Sequence, residues 1–201
     1  MANRQGQAEA TRRQLLAAAR TVFSERGYQA TTVAQITDLA ETAHGTFYLH
    51  FKNKEDAFVA VVGDVTADIY LHSFSPIVAP PHRQRALLQE RIAEFLTTCS
   101  ANARLWRALL EAAISSPAVE ASWTAQRAVF HAEVARRLQE LTESSIVRPI
   151  DAEVTAAALC SMLEWYAFTG FCFDTVDKVE VTDLVVTTLT DLWVHALVPR
   201  T

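Results

Sequence analysis

Residues 31–54 read TTVAQITDLAETAHGTFYLHFKNK, and their pattern predicts two short helices joined by a tight turn. Thr32 and Gln35 form a capping box, in which the threonine hydroxyl and the glutamine side chain satisfy exposed amides at a helix start. The first helix has an inward stripe of apolar residues spaced three and four apart, Val33, Ile36 and Ala40.

The second helix is expected to begin at Thr42 or Ala43, with the Thr42 hydroxyl as its cap. On this helix Phe47 and Phe51 share one face because they are four residues apart, which makes them core residues. Polar and aromatic groups between them lie on other faces, which the core does not need. This is the layout of a helix-turn-helix, in which one helix braces the next against the major groove of DNA.

Several separated motifs carry a resemblance to a known family. The stretches Phe23–Tyr28, Thr31–Val33 and Gly45–Glu55, in that order, closely resemble the DNA-binding domain of the TetR (tetracycline-repressor) family of bacterial regulators. The resemblance is specific over about residues 11–62, and beyond them only the pattern of helices agrees. It implies an all-α fold of nine helices, with a three-helix DNA-binding domain at 1–54 and an effector-binding and dimerisation domain at 55–201.

The turn departs from the family pattern. Such proteins usually read Ala-Gly-Val-Ser between the two helices, whereas residues 40–43 read Ala-Glu-Thr-Ala. Glu41 therefore occupies the place of a turn glycine. Either it adopts a left-handed conformation, which costs a non-glycine residue about 1 kcal/mol or more, or the turn differs from that of the family. Its charge also faces the DNA phosphates unfavourably.

The resemblance assigns contacts to DNA residue by residue. His44, Gly45 and Thr46 are expected to face base edges, and Leu49 a thymine methyl group. Phosphate contacts are expected from Tyr48, His50, Lys54 and the amide or hydroxyl of Thr32, although either histidine is also consistent with a neutral structural role. The full predicted DNA-binding set is Thr32, Val33, Thr42, Ala43, His44, Gly45, Thr46, Tyr48, Leu49, His50 and Lys54.

Composition agrees with a helical protein whose charge is unevenly distributed. The chain has 201 residues, of which 50% are hydrophobic, and only five Gly and six Pro to punctuate an all-β fold. Through Lys54, seven Lys and Arg stand against four Asp and Glu, so this part carries +3 and the remainder −8 of the net −5. A positive N-terminal part on an acidic body is compatible with DNA binding, but +3 alone is a weak signal.

Apolar periodicity and caps predict the remaining helices. The first covers about Ala8–Arg26 and ends at Gly27, a glycine placed as a helix terminator. Asn53, Ser116 and Asp151 are predicted N-caps. The other predicted features are a fourth helix after Asn53, a proline-containing break at Ser75–Arg83, a fifth helix from near Gln84, a sixth at Ala103–Ser115, a seventh from Pro117 to about Glu143, an eighth to about Phe171 and a ninth at Thr182–Leu197.

The last two helices predict a homodimer. The eighth is apolar nearly all round and the ninth has a wide apolar stripe, so both need to be covered on more than one side. In TetR-like proteins these helices pair with their two-fold copies, and the alternative is a monomer with a large core. Thr155–Phe173 is largely apolar with Glu164 as its only charge, and the chain has no second such segment, which indicates a buried helix and not a membrane span. Without a signal peptide, and with Cys99, Cys160 and Cys172 expected as buried free thiols, a cytoplasmic location is predicted.

A small-molecule effector site is predicted in the C-terminal part, where aromatic volume exceeds what a plain helical core needs. The alternative is that these aromatic residues are only core. Glu164 is the sharpest candidate, because a carboxylate among apolar residues needs a donor from the protein or from a ligand. The predicted ligand-binding residues are Trp106, Leu110, Trp123, Gln126, Phe130, Met162, Glu164, Trp165, Tyr166 and Thr169.

Catalytic signatures are missing from the sequence. It has no glycine-rich phosphate loop, GxSxG, HExxH or clustered His/Cys set, so no enzyme activity, cofactor or metal is predicted. The function implied is a DNA-binding transcriptional regulator, most simply a repressor released from a near-palindromic operator by a small, largely apolar effector. The alternative, suggested by Glu41, is a helical ligand-binding or protein-interaction module that has lost operator binding.

Overall fold

The computed structural model describes residues 2–67, 70, 81–173 and 180–197, and these ranges contain nine α-helices and no β-strand. The all-α, nine-helix prediction is therefore confirmed for the described part of the chain. The predicted break at Ser75–Arg83 falls mostly outside it. The helices are α1 (Ala2–Ala30), α2 (Val33–Leu39), α3 (His44–Tyr48), α4 (Lys54–Ala67), α5 (Pro81–Ala101), α6 (Ala103–Ser115), α7 (Pro117–Glu143), α8 (Ala152–Ala167) and α9 (Asp183–Leu197), with a π-helical turn at Phe168–Cys172.

The chain divides into two compact units. The first contains Met1–Thr66 and Arg104–Thr124, and the second contains Ala67–Ala103 and Ala125–Thr201. The first unit is larger than the segment 1–54 to which the sequence assigns DNA binding. It also holds most of α4, nearly all of α6 and the start of α7.

Aromatic side chains from α1, α3 and α4 form the core of the first unit. Phe23, Phe47 and Phe58 are fully buried. The ring of Phe58 meets Phe23 edge-on at 4.7 Å between centroids, and the Tyr28 ring lies 4.9 Å from it. Burying one such side chain stabilises the fold by about 1.5 to 3 kcal/mol, so these contacts fix the helices of the unit against one another.

The end of α1 is closed by a side chain from α6. Gly27 has φ 76° and ψ 176°, which interrupts the helix where the sequence predicts its end. The next two N–H groups, of Tyr28 and Gln29, donate to the carboxylate of Glu111 at 3.1 and 3.2 Å. The positive φ favours glycine at residue 27. A Cβ atom there would lie 2.8 Å from Glu111 Oε2, so a larger residue would also displace this carboxylate.

The predicted N-caps are confirmed at four helix starts. In the capping box of α2, Gln35 N–H donates to Thr32 Oγ1 at 3.3 Å and Thr32 N–H donates to Gln35 Oε1 at 3.0 Å. Each such cap is worth about 1 kcal/mol of helix stability. The other three caps accept from the N–H three residues on: Asn53 from Asp56, Ser116 from Val119, and Asp151 from Val154.

The predicted cap of α3 is wrong. Ala43 is the N-cap residue, and no side chain caps the helix. Thr42 still belongs to the end of α2, because its N–H donates to the carbonyl of Thr37 at 3.0 Å, and its hydroxyl oxygen is buried. The start of α3 is therefore stabilised only by the backbone of its N-cap residue: Thr46 N–H donates to the carbonyl of Ala43 at 2.8 Å.

Glu41 adopts the conformation expected of a turn glycine. Its φ is 49°, within the left-handed region that side chains disfavour. The turn between α2 and α3 therefore keeps a glycine-like geometry with glutamate in that position, and it carries the strain anticipated from the sequence.

The second unit is built around α5, α8 and α9. Arg85 of α5 donates to Asp191 of α9 at 2.6 Å, and Gln89 donates to Thr187 at 3.3 Å, so polar bonds supplement the apolar packing between these helices. Cys99, Cys160 and Cys172 are buried free thiols, as predicted. Burial raises the pKa of Cys99 and Cys160, which keeps both groups protonated. No described helix has the length and apolarity of a membrane span.

Replacing Glu41 by glycine should stabilise the protein. Removing the left-handed strain gains about 1 to 2 kcal/mol, and the extra freedom of glycine in the unfolded chain takes back about 0.5 to 1 kcal/mol. We expect Glu41→Gly to raise the free energy of unfolding, measured by urea denaturation, by about 0.5 to 1 kcal/mol. The control Glu41→Ala removes the charge but keeps the Cβ atom, and an equal gain in that variant would show that the backbone is not strained.

Candidate functional site

The outward side of α3 forms an exposed surface of the first unit. We call it the α3 surface and define it as His44, Gly45, Tyr48 and Leu49, all of which are exposed. Leu49 leaves 81% of its surface in solvent and Tyr48 leaves 52%. Thr46 and His50, from the same predicted set, are half-buried.

Two buried phenylalanines hold this surface in place. Phe47 and Phe51 are buried, with ring centroids 5.4 Å apart, which confirms that they belong to the core. Tyr48 packs edge-on against both Phe47 and His44, at 5.4 Å in each case. The aromatic contacts therefore continue from the core onto the α3 surface and restrict the rotation of its side chains.

Gly45 has no structural partner that explains it. A Cβ atom placed there would meet nothing within 4 Å, and the residue is exposed. Glycine within a helix is less stable than alanine by about 0.5 to 1 kcal/mol. Packing within the described part of the chain therefore gives no reason for glycine at this position.

The predicted residues flanking α3 have different accessibility. Thr32 is exposed, but its N–H and hydroxyl oxygen are already bonded to Gln35 within the capping box. Val33 is half-buried and Ala43 is exposed. The hydroxyl oxygen of Thr42 is buried, so this atom does not reach the outer side of the turn.

Lys54 contacts the end of α1. Its ammonium group donates to the carbonyls of Tyr28 and Gln29 at 2.8 and 3.2 Å and lies 4.6 Å from the centroid of the Tyr28 ring. Burial lowers the pKa of Lys54, and the negative charge of Glu111 partly offsets this effect. Lys54 and Glu111 thus satisfy the carbonyl and N–H groups of the same two residues, a structural role that the sequence did not reveal.

In the second unit, Glu164 is held by donors from the protein. The carboxylate is only 2% exposed. Arg127 donates to it through Nε and Nη2, the shortest distance being 2.6 Å, and Tyr70 donates through its hydroxyl at 2.9 Å. His131 Nε2 lies 3.5 Å from Oε2. The partner that the sequence predicted for Glu164 is therefore a set of protein side chains.

These contacts determine the charge of Glu164. Burial raises the pKa of the carboxyl group, but the nearby His131 ring, the hydrogen bonds from Arg127 and Tyr70, and the charge of Arg127 outweigh burial and lower the pKa overall. Glu164 is therefore ionised at neutral pH. Sequence reasoning missed Tyr70 and Arg127 because both lie far from Glu164 along the chain.

The ten predicted ligand-binding residues do not form one cluster within either unit. Trp106, Leu110 and Trp123 belong to the first unit, and Trp106 is buried in its core. The other seven belong to the second unit. Among them Phe130 is buried against Tyr70, with ring centroids 4.7 Å apart, whereas Trp165 is 64% exposed. Gln126, Met162, Tyr166 and Thr169 are half-buried, and the Thr169 hydroxyl donates to the Trp165 carbonyl.

Comparison with known proteins identifies the N-terminal part of the chain. Residues 15–61 match the family model of the bacterial regulatory proteins of the tetR family. The chain is 40% identical over 48 residues to the HTH-type transcriptional regulator QacR of Staphylococcus aureus. The aligned segment covers 24% of this chain and 26% of QacR. It is 37% identical over 78 residues to the HTH-type transcriptional repressor KstR2 of Rhodococcus jostii. This aligned segment covers 39% of this chain and 38% of KstR2. The matched segments thus span well under two thirds of either relative.

The similarity of fold extends over nearly the whole chain. The TetR family transcriptional regulator PfmR of Thermus thermophilus superposes with a TM-score of 0.68 at 20% sequence identity, covering 90% of this chain and 97% of PfmR. The second unit therefore shares the fold of such proteins, while its side chains have diverged.

Glu164→Gln should destabilise the protein in a pH-dependent way. The pKa of Glu164 is lower in the folded protein than in the unfolded chain, where it is about 4.3. The ionised carboxylate therefore stabilises the fold above about pH 4.3, and this stabilisation is lost as the pH falls through the pKa of the folded state. Since Arg127 is partly exposed, we expect a loss of about 2 to 3 kcal/mol at pH 7 by urea denaturation, less than for a fully buried pair. This loss should shrink as the pH is lowered below about 4.

The control is Glu94→Gln, which removes a partly exposed pair with Arg91 and should change the stability by less than about 0.5 kcal/mol. A Glu164→Gln loss that is the same at every pH would show that the charge of Glu164 does not contribute.

Proposed function

The chain belongs to the TetR family of bacterial regulatory proteins, and on this premise we propose that it is a DNA-binding transcriptional regulator that responds to a small molecule. The proposal is carried by the α3 surface, which is exposed although it contains leucine and tyrosine side chains. An exposed apolar and aromatic surface at the outer side of a helix-turn-helix is suited to the major groove, where thymine methyl groups and base edges are available.

Gly45 supports the same function. Because the described fold gives no reason for glycine there, an approaching molecule is the better explanation. A side chain at residue 45 would hold a base or phosphate further from the backbone of α3. We therefore assign Gly45 to the point of closest approach between α3 and DNA.

The neighbouring residues fall into two groups of proposed contacts. His44, Thr46 and Leu49 are assigned to base edges. Tyr48, His50 and Thr32 are assigned to phosphates, where they set the orientation of the protein. Lys54 is bonded to the end of α1, so its larger effect on binding would be to hold α1 and α4 together.

One α3 helix contacts too few bases for specific binding, so a two-fold pair is proposed. Apolar side chains on one side of α8 and α9 are exposed in the single chain, with Leu184 at 76% and Leu192 at 51%. Val154 and Trp165 of α8 are exposed as well. Such a surface needs covering, and pairing with a second copy covers it. Trp165 is thus better explained by a subunit interface than by the ligand site predicted for it.

The regulatory step is proposed as a coupling between effector binding in the second unit and DNA binding by the first. If effector binding lowers the affinity for DNA, the protein is a repressor that the effector releases. If effector binding raises this affinity, the protein is an activator or a corepressor-dependent regulator. The alternative function, a helical module without operator binding, was suggested by Glu41. Its positive φ weakens that alternative, since the turn accommodates glutamate in a glycine-like conformation.

A gel-shift assay against the DNA upstream of its own gene tests the proposal. The protein should retain this DNA in a sequence-specific manner at two salt concentrations. Gly45→Ala should stabilise the free protein by about 0.5 kcal/mol and weaken specific DNA binding about tenfold or more, because each lost base contact costs about 1 to 3 kcal/mol. The stability gain is the control, since it shows that the variant is folded.

Uniformly weak binding that disappears with salt would contradict specific recognition and favour the alternative function. Unchanged affinity in Gly45→Ala would remove this residue from the contact surface.

A further inference from the structure

A groove of about 320 Å³ lies in the second unit between α5, α7 and α9. None of the ten ligand-binding residues predicted from the sequence lines it. Its walls are apolar, and charged groups lie only at a few positions. The apolar lining consists of Leu88, Val134, Leu138, Leu141, Ile146, Val147, Trp193, Val194 and Leu197.

Hydrogen bonds to backbone carbonyl groups fix one end of the groove. Arg148 donates from its backbone N–H to the carbonyl of Leu197 at 2.9 Å and from Nε to that of Ala196 at 2.8 Å. The N–H of Ile146 donates to the carbonyl of Leu141 at 2.9 Å. The end of α9, the end of α7 and the segment between α7 and α8 are therefore tied together, so the space has a defined wall.

Most of the apolar lining residues are buried or half-buried, although the groove between them is not filled. Val134, Leu138 and Trp193 are buried, and Ile146, at 37%, is the only apolar lining residue among the large exposed hydrophobics of the described chain. The surface of α9 that carries Leu184 and Leu192 is a different one. The groove is therefore a concave pocket, separate from the proposed dimer surface, and its size lies within the range of small-molecule sites.

Two arginines and one glutamate supply the charged groups of the lining. Arg85, Arg137 and Glu133 line the groove, and Glu133 is held by two hydrogen bonds from Arg136. Arg137 donates to Glu140 at 2.5 Å through one nitrogen, and Arg85 donates to Asp191 at 2.6 Å. A guanidinium group has five N–H donors, so each arginine has the capacity to bind a further acceptor.

We propose that this groove binds a small amphiphile with an apolar body and one carboxylate group. A water molecule takes up about 30 Å³ of liquid, so the groove accommodates a body of about ten methylene-sized groups. The apolar body lies along α7 and α9, and the carboxylate meets Arg137 and Arg85. That this ligand is the effector rests on the proposed function. That the groove binds it does not depend on the proposed function.

Decanoate is the probe, and binding to the purified full chain is measured by isothermal titration calorimetry. Decanoate should bind with one molecule per chain, and the neutral decanol of equal chain length should bind about five- to tenfold more weakly, since it lacks the charge-assisted bond. Butyrate, which fills little of the groove, should not bind detectably. Equal affinities for decanoate and decanol would overturn the assignment of the arginines.

Two variants locate the site. Val194→Phe fills the groove from α9 and should lower decanoate affinity at least tenfold while the helical circular dichroism is retained. Arg137→Gln should lower decanoate affinity about five- to tenfold and leave decanol binding unchanged. Its matched control is Arg91→Gln, because both arginines pair with a glutamate three residues further along their own helix and Arg91 does not line the groove.

Decanoate binding that is unaffected by both Val194→Phe and Arg137→Gln would overturn the site, as would an equal loss in Arg91→Gln. If Val194→Phe does not fold, Arg137→Gln alone decides. A protein that binds decanoate as described but fails to retain its upstream DNA would refute the proposed function and leave the groove proposal standing. The reverse result would refute the groove proposal alone.

Discussion

Burial of Phe47 and Phe51 determines which side of α3 faces solvent. Both rings insert into the core of the first unit, so the residues between and before them are turned outward. A helix of five residues has little stability of its own, because nucleation outweighs the few hydrogen bonds that it forms. The position of the α3 surface therefore depends on these two aromatic anchors more than on helix propensity.

The end of α1 links this surface to a distant part of the sequence. Glu111 accepts hydrogen bonds from the N–H groups of Tyr28 and Gln29, while Lys54 donates to their carbonyls. Residues from α1, α4 and α6 thus meet at one dipeptide. Most of α6 belongs to the first unit. A change that moves α6 therefore acts directly on the end of α1, next to the helices that support α3.

Local patterns in the sequence predicted much of this fold. The capping box of Thr32, the caps at Asn53, Ser116 and Asp151, and the break at Gly27 depend on neighbouring residues and were all recovered. The cap assigned to Thr42 failed because its N–H completes the end of α2. The partners of Glu164 and the groove between α5, α7 and α9 were not foreseen, since they depend on residues that only the packed helices bring together.

Footprinting of the upstream DNA tests most directly whether two copies present their α3 surfaces to successive major grooves. We expect two protected half-sites separated by one helical turn, about 34 Å or 10 base pairs. Leu192→Glu, which places a charge on the proposed dimer surface, should abolish the paired footprint, whereas Ile114→Glu, at a residue 90% exposed on α6, should leave it intact. A single protected half-site in the unmodified protein, or a paired footprint that survives Leu192→Glu, would contradict the account.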